Sequence, residues 1–453
     1  MNHPHEPPLT PSRWPSILLG AILIVYAGLV VGYAVRTPAW QAPDEPAHFQ
    51  VIAQVAAAGC CPVIAPGDWD QAYLSQLTSA RFDPALLNRL AAVQYEDHQP
   101  PLYYLGGTVV YAASGGSLLA VRLWSALLGG IAVILAYSTA RVMFADRPVV
   151  ALGAAALVAF IPQHLAILGS VNNDAAADVV IGAGLLATML YLRGAKVPAW
   201  ALGVIAGVGV LTKANSLLLG LVMPLAILLR WLATRDASSA RSWGVLIRNG
   251  LAFGLPALLI GAIWWVRNII VYGWPDIFGL GAHDAVVTGQ LRTADVIAEV
   301  GWSEYLRRAA ETTFNSFWGQ FGWMALPLPG WAYTLIGIGL AIIAVGIGAA
   351  FVRRGRSAAA HRPLMWAILW AVIALALAQY AYYNTSFYQL QGRYLFPLLI
   401  PFGILAGWGL DALGGLFFKA ARSPARALAV IPLCGLIPLN LYVLWRVIPL
   451  LAP

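Results

Sequence analysis

The sequence predicts an all-α protein: a polytopic transmembrane bundle of about eleven spans, with juxtamembrane helices in a long first outer loop. Three observations predict it. Of 453 residues, 60% are hydrophobic and only 10% charged, with a mean hydropathy of +0.74, whereas a soluble globular chain carries roughly 25% charged residues. Apolar runs of the length that crosses a bilayer, about 20 residues, recur along the whole sequence. Lys and Arg collect in the short gaps between those runs, the bias that sets cytoplasmic loops.

The same composition excludes other classes. With 18 Trp, 18 Tyr and 15 Phe the chain is not a disordered polymer, and three Cys do not make a disulfide scaffold. A net charge of +8 invites a nucleic-acid reading. The basic residues, however, sit at Arg141 and Arg147, at Arg193 and Lys196, and within 230–248, 353–362 and 419–426, so they mark membrane sidedness and not a binding stripe. Cys60 and Cys61 read as bystanders and not as a redox site, and Cys434 lies within an apolar run.

Taken in order, the run at 15–35 is long enough to be a retained anchor, so no cleaved signal peptide is expected. The first long outer segment, 36–117, follows. Spans are expected at 118–140, 148–169 and 174–192, and 198–232 is long enough for two. A span at 249–271 leads into a second long outer segment, 272–329, and the last spans are 330–352, 364–383, 394–416 and 428–448. The stretch 100–114 is apolar but only 15 residues long and opens with two prolines. If it crossed, the basic gaps at 193–196, 230–248 and 353–362 would fall outside, so it reads as a juxtamembrane helix. The N-terminus is then inside and the C-terminus outside. Sixteen of the 27 Lys and Arg and four of the 19 Asp and Glu lie inside, giving +12 there and −4 outside. The whole chain, 1–453, is one integral membrane domain, multi-pass in the plasma (inner) membrane, and chemistry is expected at its outer face, where loops of such length are usually functional.

Five clusters there bear chemistry. In Pro43-Asp44-Glu45-Pro46-Ala47-His48-Phe49, Pro46 starts a helix and Asp44 stands just before it. Asp44 is either an acidic cap or a general base beside a positive dipole that suits phosphate. Val171-Asn172-Asn173-Asp174 begins the fourth span, with Asp178 four residues on and about 6 Å deeper. The asparagines can cap that span. Asp174 and Asp178 share a helix face where like charges repel, which points to a cavity-lining pair with a bound cation as one option. Around Leu211-Thr212-Lys213-Ala214-Asn215-Ser216 the flanking apolar arms are about 13 residues each, roughly 20 Å of a ~30 Å core. Lys213 is thus sunk beneath the surface, either awaiting an anion or snorkelling. Gln389-Leu390-Gln391-Gly392-Arg393-Tyr394 and Trp264-Trp265-Val266-Arg267-Asn268 bring Arg393 and Arg267 to the outer side against the charge rule. They are interfacial anchors or, with Lys213, three cations for a lipid phosphate. Phe317-Trp318-Gly319-Gln320-Phe321-Gly322-Trp323 is an aromatic belt or a platform for stacking on a sugar. His48, His98 and His283 are too isolated for a zinc site.

These residues together resemble the GT-C polytopic glycosyltransferases, a superfamily that includes protein O-mannosyltransferases and lipid A aminoarabinose transferases. The resemblance rests on Asp44 and Glu45 after the first span, on His98-Gln99-Pro100-Pro101-Leu102-Tyr103-Tyr104, on the acidic motif at Asp174, and on the Leu-Thr-Lys hairpin ending at Lys213. In wording the chain is most similar to a bacterial family of predicted membrane proteins of unknown function. The resemblance implies inverting transfer of a hexosyl or pentosyl group from a polyprenyl-phosphate donor to a glycan, lipid or protein hydroxyl. Asp44 matches the first-loop catalytic acid and Asp174 the second-loop one, with Glu45 as cap or orienting partner. His48, His98, Gln99, Asn172, Asn173, Asp178, Lys213, Arg267, Trp318, Gln391, Arg393 and Tyr394 are the candidate substrate contacts. Where the aminoarabinose transferases have a Lys before the Pro-Pro pair this chain has Gln99. No cofactor is implied beyond an optional divalent cation, and no nucleic acid. The chemistry agrees with the resemblance: nucleotide sugars are absent outside the cell, so an outward-facing transferase needs a lipid-borne donor, cations for its phosphate and one carboxylate base. A transporter or flippase of a lipid-linked sugar and a polysaccharide polymerase or ligase are the alternatives.

Overall fold

The computed structural model describes residues 13–234, 243–352, 362–418 and 423–453. Much of the basic gaps expected at 230–248, 353–362 and 419–426 lies outside the described residues. Among those described, nine helices are long and apolar enough to cross a membrane: Trp14–Arg36, Leu118–Met143, Asp174–Arg193, Ala214–Ala233, Trp243–Tyr272, Gly330–Val352, Arg362–Ser386, Gly392–Phe417 and Pro424–Leu451. The run expected at 148–169 is broken into Pro148–Phe160 and Pro162–Leu168, bent by 63°. Pro162 is the cause, because a residue before proline avoids the helical region, and Ile161 has ψ 121°. The first arm of the Lys213 hairpin is the 12-residue helix Ala199–Val210, about 18 Å long and short of a full crossing.

The spans pack through small residues, which let backbones approach where lipid removes any hydrophobic advantage. A Cβ on Gly153 would come within 2.6 Å of the Gly407 Cα, and one on Gly346 within 2.3 Å of the Gly409 carbonyl oxygen. Pro148–Phe160 is buried along its whole length between Leu118–Met143 and Leu399–Phe417.

Sidedness follows from Arg122, one turn into the span Leu118–Met143. Its guanidinium donates to the carbonyls of Ala34, Thr37 and Pro38 at the end of the first span. The chain therefore leaves and re-enters the bundle at one end, and the 12-residue helix Leu102–Ala113 does not cross. Its Gly107 packs against Ile52 of the helix Glu45–Ala58. At that same end Leu102 N donates to Leu211 O, Gln320 N to Gln163, Tyr388 N to Leu291 O, and Arg81 to Ala452 O. At the opposite end Arg147 and Arg426 converge on Asp411.

The first long loop has a small core of its own, with Ala47, Ile64, Tyr73, Leu74, Leu77 and Phe82, and Val287 of the second loop closes it. Short helices at Gln71–Ser79 and Leu280–Val286, the helical segment Thr293–Trp318 broken at Gly301 (φ 79°), and a ribbon pairing Gln320–Phe321 with Leu326–Pro327 complete this layer. Cys60 and Cys61 within it are bonded to each other as a vicinal disulfide.

Candidate active site

Asp44 has left-handed backbone (φ 66°), an unusual conformation for a side chain other than glycine. Pro46 in the first turn of Glu45–Ala58 fixes the helix start, and Asp44 makes no capping bond to it. Its carboxylate turns the other way. Oδ1 accepts the Tyr95 hydroxyl at 2.8 Å, and Oδ2 accepts Arg393 Nη2. The capping alternative for Asp44 therefore fails.

Arg393 is delivered by the 3-10 turn Gly392–Leu398, which sits on Thr293–Trp318. Gly392 is needed there: a Cβ would lie 2.4 Å from both Phe317 N and Thr313 O. Its own N–H donates to Ser316 Oγ at 2.7 Å. Arg393 is buried, and its Nε has no partner.

Glu45 does something different from its neighbour. It is fully buried and takes a two-pronged bond from Arg122 at 2.7 and 2.6 Å, with Trp40 N and Val171 N completing its acceptors. With these four bonds Glu45 clamps the first loop to the bundle, the place of an orienting partner and not of a free base. Arg122 was missed by the sequence reading, although an Arg inside an apolar run is a signal in itself.

Asn172 Oδ1 accepts Asp174 N at 2.9 Å, closing the turn into Asp174–Arg193. Asp174 Oδ1 then meets Lys213 Nζ at 2.5 Å. Lys213 has no acidic neighbour in sequence, and Asp174 at the start of the preceding span supplies the anion. Asp178 is bonded to His164 at 2.8 Å, at the bend of the broken span. The two aspartates thus take separate partners and are not a shared pair. Among the described residues no three His, Cys, Asp or Glu side chains gather as a metal site. Asn173 Nδ2 donates to Gln99 Oε1 at 3.2 Å, and His48 Nδ1 is hydrogen-bonded to the Tyr104 hydroxyl at 2.8 Å.

A cavity of about 480 Å³ is lined by Asp44, Tyr95, Glu96, Tyr383, Arg393 and Tyr394, with Gln391, His283, Trp69 and Trp323 around it. Burial works to raise the Asp44 carboxyl, but the Arg393 charge and the bonds from Arg393 and Tyr95 outweigh it and hold it at about 2. Burial and the Asp44 charge push Glu96 up to about 7. Burial lowers His48 to about 3 against the charges of Asp44 and Asp174. His98 is also lowered to about 3 by burial, with the His283 ring 4.5 Å away. Glu96 Oε2, Arg393 Nε and Asn173 Oδ1 are buried without partners. Native proteins leave few such atoms, and two of these, on Glu96 and Arg393, belong to residues that line the cavity.

Two expected contacts lie elsewhere. Arg267 donates to the Cys61 and Pro62 carbonyls at 3.2 and 2.5 Å and to the Asn268 and Tyr272 side chains, so it buttresses the first loop and does not join Lys213 and Arg393. Trp318 is buried against Phe317 and Phe402 and lines a separate apolar groove of about 320 Å³. From that motif it is Trp323 that borders the cavity. Tyr95, Glu96, Tyr383 and Trp69 were not singled out from sequence; Tyr95 and Glu96 stand one residue, Asp97, ahead of the His98-Gln99 motif.

Residues 83–401 match a family described as predicted membrane protein (DUF2142). An undecaprenyl phosphate-alpha-4-amino-4-deoxy-L-arabinose arabinosyl transferase of Pseudomonas fluorescens is 27% identical over 304 residues, 66% of this chain. The match takes in 44% of that relative, so the chain spans less than half of its length. Among solved structures, ArnT from Cupriavidus metallidurans in the apo state superposes over 97% of this chain and 73% of its own, with a TM-score of 0.53 at 19% identity. Its form bound to undecaprenyl phosphate covers 98% and 74%, with a TM-score of 0.48 at 17% identity. The apo likeness is one of fold, and it is the multi-pass helical fold that the GT-C resemblance implied.

Proposed function

The chain belongs to the DUF2142 family of predicted membrane proteins, and we propose that it transfers a sugar from a polyprenyl-phosphate donor to an acceptor hydroxyl at the loop-rich end of its bundle. The observation that carries this reading is a pair of neighbouring carboxylate–cation contacts, Asp44 with Arg393 on the cavity wall and Asp174 with Lys213 within electrostatic reach of Arg393. The name of the Pseudomonas fluorescens relative, an undecaprenyl phosphate-linked arabinosyl transferase, supports the donor class.

The donor is a phosphodiester with one negative charge. On entry its phosphate competes with Asp44 and Asp174 for the two cations, and Arg offers it planar, charge-assisted hydrogen bonds. The unspent Arg393 Nε is available for one of them. Once Arg393 turns to phosphate, Asp44 loses the main influence that holds it near 2, while burial, which raises it, remains. The carboxylate becomes a stronger base at the moment a substrate is present. The acceptor oxygen then attacks the anomeric carbon from the face opposite phosphate, the new C–O bond forms as the sugar–phosphate bond breaks, and Asp44 takes the acceptor's proton. Configuration inverts. Polyprenyl phosphate leaves with an added negative charge that Arg393 and Lys213 neutralise, so no general acid is needed for it.

The same reading puts eleven spans in the plasma membrane, the N-terminus in the cytoplasm and the cavity outside. A hexose or a pentose fits the donor role, and a glycan, lipid or protein hydroxyl the acceptor role. The test is release of undecaprenyl phosphate from a panel of undecaprenyl-phosphate sugars by membranes carrying the protein. Release from at least one, dependent on Lys213, is expected; binding of the donors without release from any would leave a transporter.

A further inference from the structure

The two ion pairs cancel each other's charge, and one carboxyl is left over. Glu96 is buried and lines the cavity. The Gln99 side chain lies close enough to act on its carboxyl, yet Oε2 has no partner. The charged and titratable groups acting on it come from every element around: Asp44, Lys213, Arg393, Tyr383, Tyr394 and Tyr104, with Asp97 and His98 next to it in sequence and His283 across the cavity. Both cations are already bonded to other carboxylates. An ionised Glu96 is therefore a buried anion without a counter-ion, and an anionic phosphate arriving beside it would meet repulsion.

A neutral carboxyl reverses the situation. Its O–H becomes a hydrogen-bond donor, the role a carboxylic acid kept neutral in an apolar site can fill. Building on the donor reading above, we propose that Glu96 binds the donor phosphate as a neutral acid, its Oε2 donating a proton-bearing hydrogen bond to a phosphate oxygen, so that the lipid phosphate and one proton are taken up together. Gln99 holds the other side of the carboxyl and orients it. In the unliganded protein burial and Asp44 already bring Glu96 to about 7, and a second nearby anion raises it further. At neutral pH the site is then poised to load its proton as the donor arrives. Above that range the donor must also supply the free energy of protonation, and its apparent affinity falls.

The experiment is titration of undecaprenyl phosphate into the full-length protein in lipid nanodiscs at pH 6 and pH 8. Wild type is expected to bind about tenfold more weakly at pH 8, beyond any change seen in Glu96→Gln. The phosphate's own second ionisation is common to both proteins and drops out of that comparison. Glu96→Gln keeps a donor N–H and should match wild type at pH 6 and bind more tightly than wild type at pH 8, while Glu96→Ala binds weakly at both. Parallel pH dependences in wild type and Glu96→Gln, with Lys213→Ala still losing affinity, would overturn the role of Glu96 and leave the donor reading standing. A folded wild type that binds no undecaprenyl phosphate at either pH would overturn both.

Discussion

Arg393 reaches Asp44 across 349 residues of sequence and joins the start of the first loop to the entry of a late span. Neither residue is held by that contact alone. Asp44 is fixed by a left-handed backbone and by Tyr95, and Arg393 by the seat of Gly392 on Thr293–Trp318. The contact can therefore open without dismantling its supports, which is what a donor phosphate requires of it.

The cations should be separable by mutation. Charge-assisted bonds to an anion are worth about 1.5–3 kcal/mol each, so Arg393→Ala and Lys213→Ala are each expected to weaken undecaprenyl phosphate binding by about tenfold or more. Arg267→Ala should leave that affinity within about twofold, because its guanidinium is occupied with the Cys61 and Pro62 carbonyls. Equal losses in all three would place Arg267 in the site after all.

Glu45 and Arg122 should behave as a structural unit. Removing one partner of a buried pair typically costs about 3–5 kcal/mol, whereas replacing both can be nearly neutral. Arg122→Met alone should lower the thermal unfolding midpoint in detergent sharply, and Glu45→Gln with Arg122→Met should recover much of it. A single variant as stable as wild type would show that the clamp is dispensable.

Asp97 offers a stability test with a defined sign. Burial raises its carboxyl from its ordinary value of about 4 to about 7, although Gln54 donates to both of its oxygens. A carboxyl raised in the folded state favours folding most at low pH, and that contribution is lost as pH climbs from about 4 to 7. Relative to wild type, Asp97→Asn should gain thermal stability across that window and keep the gain above it. A gap that does not change with pH would remove Asp97 as the source.

Topology has its own measurement. Arg122 bonded to Ala34 and Thr37 puts both ends of the first loop at one side. A cysteine at Ser117 should react with a membrane-impermeant reagent from outside the cell, and labelling only from the cytoplasm would reverse the arrangement.

Much of this was legible in the sequence because hydropathy and Lys/Arg placement act over whole segments. The long apolar runs and the short helix after Pro101 are properties of local composition. What sequence did not reveal was pairing. Asp174 and Asp178 share a helix face, yet Lys213 and His164 come in from different elements to divide them. Arg267 and Arg393 look alike as outward cations, and only the fold of the first loop decides that one meets carbonyls and the other Asp44. Glu96 was overlooked because an acidic residue in an outer loop is ordinary until burial leaves one of its oxygens without a partner.

The most direct test is the rate of sugar transfer by Asp44→Asn, measured as undecaprenyl phosphate released per enzyme with the donor that wild type turns over. Asparagine keeps the shape of the side chain and its bond to Tyr95 but cannot take the acceptor's proton at neutral pH. Loss of a general base typically slows turnover by about 10²–10⁴-fold while ground-state binding persists. The account predicts a loss of that size with donor affinity retained. Turnover by Asp44→Asn at the wild-type rate would contradict it.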